Sequence, residues 1–278
     1  MKEKFGLFVC MLALLVAPVS GRAEEKQSSD SHIGTYEALS ATVSRRGYDL
    51  WQTVISDHKN FYSLNNAAMF AAGLGVSAIT ANTSADREIR EWYKDSVKSD
   101  TTDDIATVAK GFGEGLYTIP AYLGIAVLGE VTNGAVDSIA GEWARRCLRA
   151  TLVGVPPMLV FQEVVGSSRP DEGSSHWDVF HDDNGVSGHG FIGAIPFLSA
   201  AMMARHPLLK WPLYAASTLP ALSRINDDAH YFSQAFLGWW IAFLAARSVD
   251  NTEVQKGKIV ITPAMGPDLI GIVASMKF

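Results

Sequence analysis

Two arginines and two histidines stand in short polar stretches at the ends of otherwise apolar segments. The first stretch is Gln162-Glu-Val-Val-Gly-Ser-Ser-Arg169-Pro170, the second Val186-Ser187-Gly188-His189, and the third runs from Ser223-Arg224 through Asp227 to His230 and Gln234. Guanidiniums fork onto phosphate oxygens, and imidazoles supply a nucleophile and a proton carrier near neutral pH. Arg169 precedes a proline, which disfavours helix at that point, so it belongs at a helix mouth. Ser187 and Gly188 open the next apolar segment, where free backbone N–H groups and the helix dipole favour an anion. His230 and Gln234, four apart, are expected on one helical face. The Gln234 carbonyl accepts a hydrogen bond from the imidazole and fixes its tautomer, but brings no charge; Asp227, three residues before His230, offers a carboxylate for the same purpose. This inventory suffices for phosphoryl transfer without a metal. A denser set, His176, Asp178, His181, Asp182 and Asp183, reads as a loop lip with Trp177 and Phe180 facing substrate rather than as metal ligands.

The elements that must position these groups are apolar and helix-compatible. Six stretches stand out: Leu64 to Ala81, Leu116 to Gly129, Ala150 to Gln162, Gly190 to Ala204, Trp211 to Leu222 and Tyr231 to Ala246. Ala, Leu and Met dominate several of them, favouring helix over strand. The charged segment Ala85 to Lys110 reads as a solvated helical face without chemistry. After Val249, alternating and β-branched residues around Pro263, Gly266 and Pro267 predict a terminal hairpin. The fold class is therefore mainly α, a six-helix bundle with a short C-terminal β-hairpin. The chain divides into 1–23, 24–59 (an arm and a first short helix), 60–248 (the helical domain) and 249–278 (the hairpin extension).

Residues 1–23 have the layout of a secretory signal peptide: Lys2 and Lys4, an apolar run, then small residues up to Ala23. Export to the cell envelope, on its periplasmic side, is the expectation. Cleavage would leave Cys147 as the single cysteine, without a disulfide or thiolate metal site. The net charge of -6 gives no general electrostatic attraction to nucleic acid, so an anionic ligand must be held by locally placed cations. A bilayer span needs about 20 apolar residues, and only the first stretch approaches that length. The distribution of Lys and Arg between alternate loops opposes the orientation that a cleaved leader imposes. One resolution is a helical body that does not fully span the membrane; a membrane-embedded body and a membrane-associated one are both compatible with the sequence.

In order and spacing the three stretches resemble the type 2 phosphatidic acid phosphatase and vanadium haloperoxidase superfamily. Its signature is Lys, six residues, Arg-Pro; then Pro-Ser-Gly-His; then Ser-Arg, five residues, His, three residues, Asp. The match covers roughly 60–248 and implies a phosphatidic acid phosphatase-like bundle. It also implies that His230 attacks phosphorus to form a phosphohistidine, that His189 protonates the leaving oxygen and then activates water, and that Arg169, Arg224, Ser187 and Gly188 cradle the equatorial oxygens. Gln162 and Ser223 fall at substrate-binding positions, and Gln234 and Asp227 are the candidates to orient the nucleophile. Three positions depart from the pattern: Gln162 for Lys, Val186 for Pro and Gln234 for Asp. The resemblance thus implies an exported phosphatase, needing no cofactor, that acts on phosphomonoesters or diphosphate esters, free or lipid-linked. Its alternatives are a silent phospholipid- or phosphate-binding protein and a vanadate-dependent haloperoxidase.

Overall fold

The structure, a computed structural model, describes residues 48–133, 139–256, 260–266 and 269–275. The leader expected over 1–23 and most of the arm that follows lie outside the described residues. By contacts the chain divides into two compact units, Met1–Ser56 and Asp57–Phe278, and the core and the site lie in the second.

The described residues are mainly helical. In chain order they form α1 (48–61), α2 (Leu64–Ala81), α3 (Ala85–Ser96), α4 (Asp100–Gly111), α5 (Gly115–Asn133), α6 (Ile139–Val165), α7 (Gly188–Met203), α8 (Pro207–Asn226) and α9 (Phe232–Lys256). Two strands follow, β1 (Val260–Gly266) and β2 (Leu269–Ser275), paired antiparallel with Val260 opposite Ser275 and Gly266 opposite Leu269. Six helices were expected from six apolar runs, and nine are found among the described residues. The additional ones are α1, where a first short helix was expected, and α3 and α4, which lie in the charged helix-compatible segment. The charged segment is itself two helices, because Ser99 and Thr102 form a reciprocal cap that starts α4 afresh: Ser99 Oγ accepts from the Thr102 N–H at 3.3 Å and Thr102 Oγ1 from the Ser99 N–H at 2.8 Å. The boundary expected at 248/249 falls inside α9, which continues without a break to Lys256.

The centre of the protein is the contact of α6, α7 and α9. Val153, Phe191, Ile195, Leu198, Leu237, Ile241 and Leu244 are fully enclosed there. Trp239 and Trp240 pack inside: their indole N–H groups donate to Ser217 Oγ and to the Met69 carbonyl, each at 2.9 Å. Among the described residues two helices, α2 and α6, are long and apolar enough to cross a membrane; more than half of the apolar stretch of α6 is buried within the protein itself.

α6 begins eleven residues earlier than its apolar run because its first three turns carry charges that are partnered inside the fold. Arg149 grips the Asp57 carboxylate with two bonds of 2.7 Å and also donates to Glu253. Arg146 donates to Glu142 and to Asp250, each at 2.9 Å. Residues 57–61 of α1 and the last turns of α9 are thereby pinned to α6, far along the helices from the polar motifs. Removing one member of such a buried network leaves its partners charged and unsolvated. Replacing Arg149 with Met should therefore lower unfolding stability by about 3–5 kcal/mol, measurable as a shift of the denaturation midpoint in urea.

Candidate active site

The three polar stretches meet at the N-terminal ends of α7 and α9 and the C-terminal ends of α6 and α8. One residue, Gln234 in the first turn of α9, touches all three, two through its side chain and one through its backbone. Its Nε2 donates to Ser167 Oγ at 2.9 Å and to the Ser168 carbonyl at 2.7 Å, both in the first stretch. Its backbone carbonyl accepts from the Ser187 N–H at 3.0 Å, in the second. Its Oε1 receives the Tyr231 N–H at 3.0 Å and lies 3.0 Å from His230 Nδ1, in the third. No surface of Gln234 is exposed. α9 and the Ser187 segment approach so closely that a Cβ at Gly238 would stand 2.3 Å from the Ser187 carbonyl oxygen, so only glycine fits.

This network decides the protonation of the candidate nucleophile. A carbonyl oxygen only accepts, so the Gln234 nitrogen must face Ser168 and its oxygen must face His230. The neutral His230 ring then carries its proton on Nδ1 and keeps the Nε2 lone pair free. His230 lies in the turn between α8 and α9 rather than on the helix where the i, i+4 spacing placed it. The contact survives because the third residue of a helix reaches back naturally over the cap. Burial, with 7% of its surface exposed, pushes the His230 pKa down to about 4; the Gln234 bond opposes this, while Arg169, Arg224 and His189 lower it further through their charge. These last three groups are thus close enough to act on the imidazole electrostatically.

Arg224 ends α8 with its guanidinium largely buried, and its Nε has no hydrogen-bond partner among the described residues. Its Nη1 donates to Asp227 Oδ2 at 3.2 Å. Burial lowers its pKa, Asp227 and Glu114 oppose that shift, and the charge of Arg169 adds to it. Arg169 is exposed, with Nε anchored on Asn184 Oδ1 at 2.9 Å. Asn184 is fixed in turn by donating to Asp182 at 2.8 Å and Glu172 at 3.1 Å. Ser187 caps α7 through its side chain, accepting from Gly190 at 3.2 Å, and the first N–H groups of that helix, on Gly188 and His189, have no partner within it. His189 Nε2 lies 3.1 Å from Glu114 Oε1.

Other expected roles differ in place. Gln162 donates to the Val186 carbonyl at 2.9 Å, joining the first two stretches to each other. Ser223 is buried and donates to the Pro220 carbonyl at 2.8 Å, a back-bond within its own helix. Asp227 faces cations, Arg224 and also Lys110 at 3.3 Å, while the Nδ1 side of His230 is met by Gln234. Trp177 packs against the core and Phe180 projects with 72% of its surface exposed. No cluster of His, Cys, Asp and Glu able to hold a metal occurs among the described residues.

The charged segment read as chemically idle holds the turn that carries His230. Asp228, two residues before His230, has φ of 55° and closes α8 in the left-handed conformation that a helix C-terminus takes. From α3, Arg90 clamps its carboxylate with two bonds of 2.6 Å and Lys94 adds one of 2.5 Å. From α4, Asp103 accepts from Asn226 Nδ2 at 2.6 Å. Asp86 receives the Ser233 N–H at 2.9 Å and its hydroxyl at 2.5 Å, capping α9 beside the site. Sequence spacing could not find these partners, since each lies more than 100 residues from its mate.

No protein-family model matches this chain, and no curated protein matches it. Among solved structures, the chain is similar to a transmembrane PAP2-type phosphatidylglycerolphosphate phosphatase from Bacillus subtilis. The TM-score is 0.45 at 12% identity, over 75% of this chain and 96% of that one.

Replacing Gln234 with Glu removes both donors and sets a carboxylate against the Ser168 carbonyl, so it should cost about 1–3 kcal/mol of stability in chemical denaturation. His230 also predicts a pH dependence. Between about 4 and the ordinary 6.5 the folded protein binds fewer protons at this site than the unfolded chain, so stability rises with pH across that window. The contribution, about 3 kcal/mol, is present above 6.5 and gone below 4. Melting temperatures of the wild type and His230→Asn should diverge in slope over that range.

Proposed function

We propose that this site carries out phosphoryl transfer and that the protein is an exported phosphatase. It hydrolyses phosphomonoesters or diphosphate esters, free or lipid-linked, at the envelope face of a membrane. The observation that carries the reading is the His230–Gln234 pair: it leaves a neutral imidazole with an unprotonated Nε2, within the electrostatic reach of Arg169 and Arg224. Above pH 4 that nitrogen is available to attack phosphorus.

In the first half-reaction, His230 Nε2 bonds to phosphorus while the bond to the leaving oxygen breaks and His189 supplies that oxygen with a proton. Arg169, Arg224 and the free N–H groups at the start of α7 hold the equatorial oxygens, whose charge needs fixed donors more than covalent help. In the second, a water deprotonated by His189 displaces His230, releasing phosphate. The guanidiniums supply the positive charge that a divalent ion provides elsewhere. The buried, unpartnered Arg224 Nε supports an acceptor binding at this point, because an unsatisfied buried donor is costly.

A second reading, phosphate or phospholipid binding without turnover, is favoured by one observation. Gln234 places no charge opposite the imidazolium that develops on His230, and Gln162 supplies no cation. Incubation with a labelled phosphate ester followed by alkaline quench separates the two. The phosphatase reading expects an acid-labile, alkali-stable label on His230 and its loss, with at least a ~1,000-fold fall in turnover, in His230→Ala. Saturable phosphate binding with neither label nor turnover would establish the silent reading instead.

A further inference from the structure

Glu114 belongs to none of the three stretches. It sits at the corner between α4 and α5, with its Oε1 3.1 Å from His189 Nε2. Its backbone carbonyl accepts from the N–H groups of Tyr117 at 2.9 Å and Thr118 at 3.0 Å, which makes it the N-cap of α5. That position favours short side chains that fold back onto their own helix; here a long one reaches across to α7. The approach depends on its neighbour, since a Cβ at Gly113 would stand 2.8 Å from the His189 carbonyl oxygen and 2.9 Å from its Cα. Both partners are partly solvated, His189 with 35% and Glu114 with 47% of the side chain exposed, and an ion pair so placed contributes little to stability. Its effect lies in the ring it holds.

We infer that Glu114 is a positioning residue for His189: by accepting the Nε2–H it leaves Nδ1 as the nitrogen that handles the proton. The inference rests on the phosphoryl transfer proposed above. As the His230 Nε2–phosphorus bond forms and the bond to the leaving oxygen breaks, the proton on His189 Nδ1 passes to that oxygen. The imidazole, now neutral, could carry its remaining proton on either nitrogen, and Glu114 keeps it on Nε2. The Nδ1 lone pair then takes the proton of the attacking water as the nitrogen–phosphorus electron pair returns to His230.

Two probes with different leaving groups test this. Butyl phosphate departs as a basic alkoxide and needs the proton, whereas 4-nitrophenyl phosphate departs as a weak base. Glu114→Ala should lower kcat for butyl phosphate about tenfold more than for 4-nitrophenyl phosphate, a fraction of what general acid catalysis provides, with Glu114→Gln in between. The 15N shifts of the His189 ring in the wild type should show Nε2 protonated, and in Glu114→Ala a mixture of tautomers. Equal losses on the two esters, no loss on either, or an unchanged ring spectrum would overturn the inference. A wild type that turns over neither ester defeats the phosphatase reading instead, and the ring spectrum then decides the pairing alone.

Discussion

A neutral amide at position 234 is the constraint on which the site depends. Five hydrogen bonds converge on this residue: its nitrogen serves Ser167 and Ser168, its side-chain oxygen serves Tyr231 and His230, and its backbone oxygen holds Ser187. A carboxylate could orient the imidazole and stabilise its cation, but it has no hydrogen to give to the Ser168 carbonyl. The chain therefore combines the joining of three distant segments with the setting of one tautomer, at the expense of charge opposite His230. At a side chain fully removed from water, as Gln234 is, a satisfied neutral network is the less costly arrangement.

Around that centre the helices without motif residues set the position of those that carry them. The turn from Asn226 to His230 has little regular structure of its own, and its left-handed residue, Asp228, is held by Arg90 and Lys94 from α3. Each such pair near the surface is weak alone. Several of them on one five-residue turn restrict it far more than any single pair would, because the same backbone is ordered once and shared. At the opposite end of α6 and α9 the buried network of Arg146 and Arg149 pins the helices together, so the ends that carry the polar stretches cannot splay independently. The apolar packing between, from Val153 to Leu244, transmits that rigidity.

The two imidazoles stand in unlike environments, one buried and one partly solvated. His230 is enclosed, its pKa depressed to about 4, first by burial and then by neighbouring cations, the unprotonated state that the proposed mechanism requires of it. His189 stands at the opening of the site beside the Glu114 carboxylate, where protons can be exchanged with solvent. Two like groups placed in unlike surroundings are the usual way a protein assigns different tasks to the same side chain.

Much of this was legible from the residues in order. The apolar runs foretold the helices α2, α5, α7, α8 and α9, because helix burial imprints its composition locally. The i, i+4 relation foretold the His230–Gln234 bond although the turn, not the helix, carries the histidine; that Arg169, Arg224, His189 and His230 act together is the expectation that the family resemblance carries. The Ala85 to Lys110 segment was misjudged because its charges look solvated in sequence, and only in the fold do Arg90, Lys94 and Asp103 find partners. Asn184 behind Arg169 and Glu114 behind His189 bore no local signal at all. Residue types and their spacing determined which chemistry was available, since those properties are intrinsic to the side chains. The free nitrogen of each imidazole and the partners that hold each cation were decided by tertiary structure alone, because hydrogen bonding and desolvation depend on neighbours that the chain brings together only on folding.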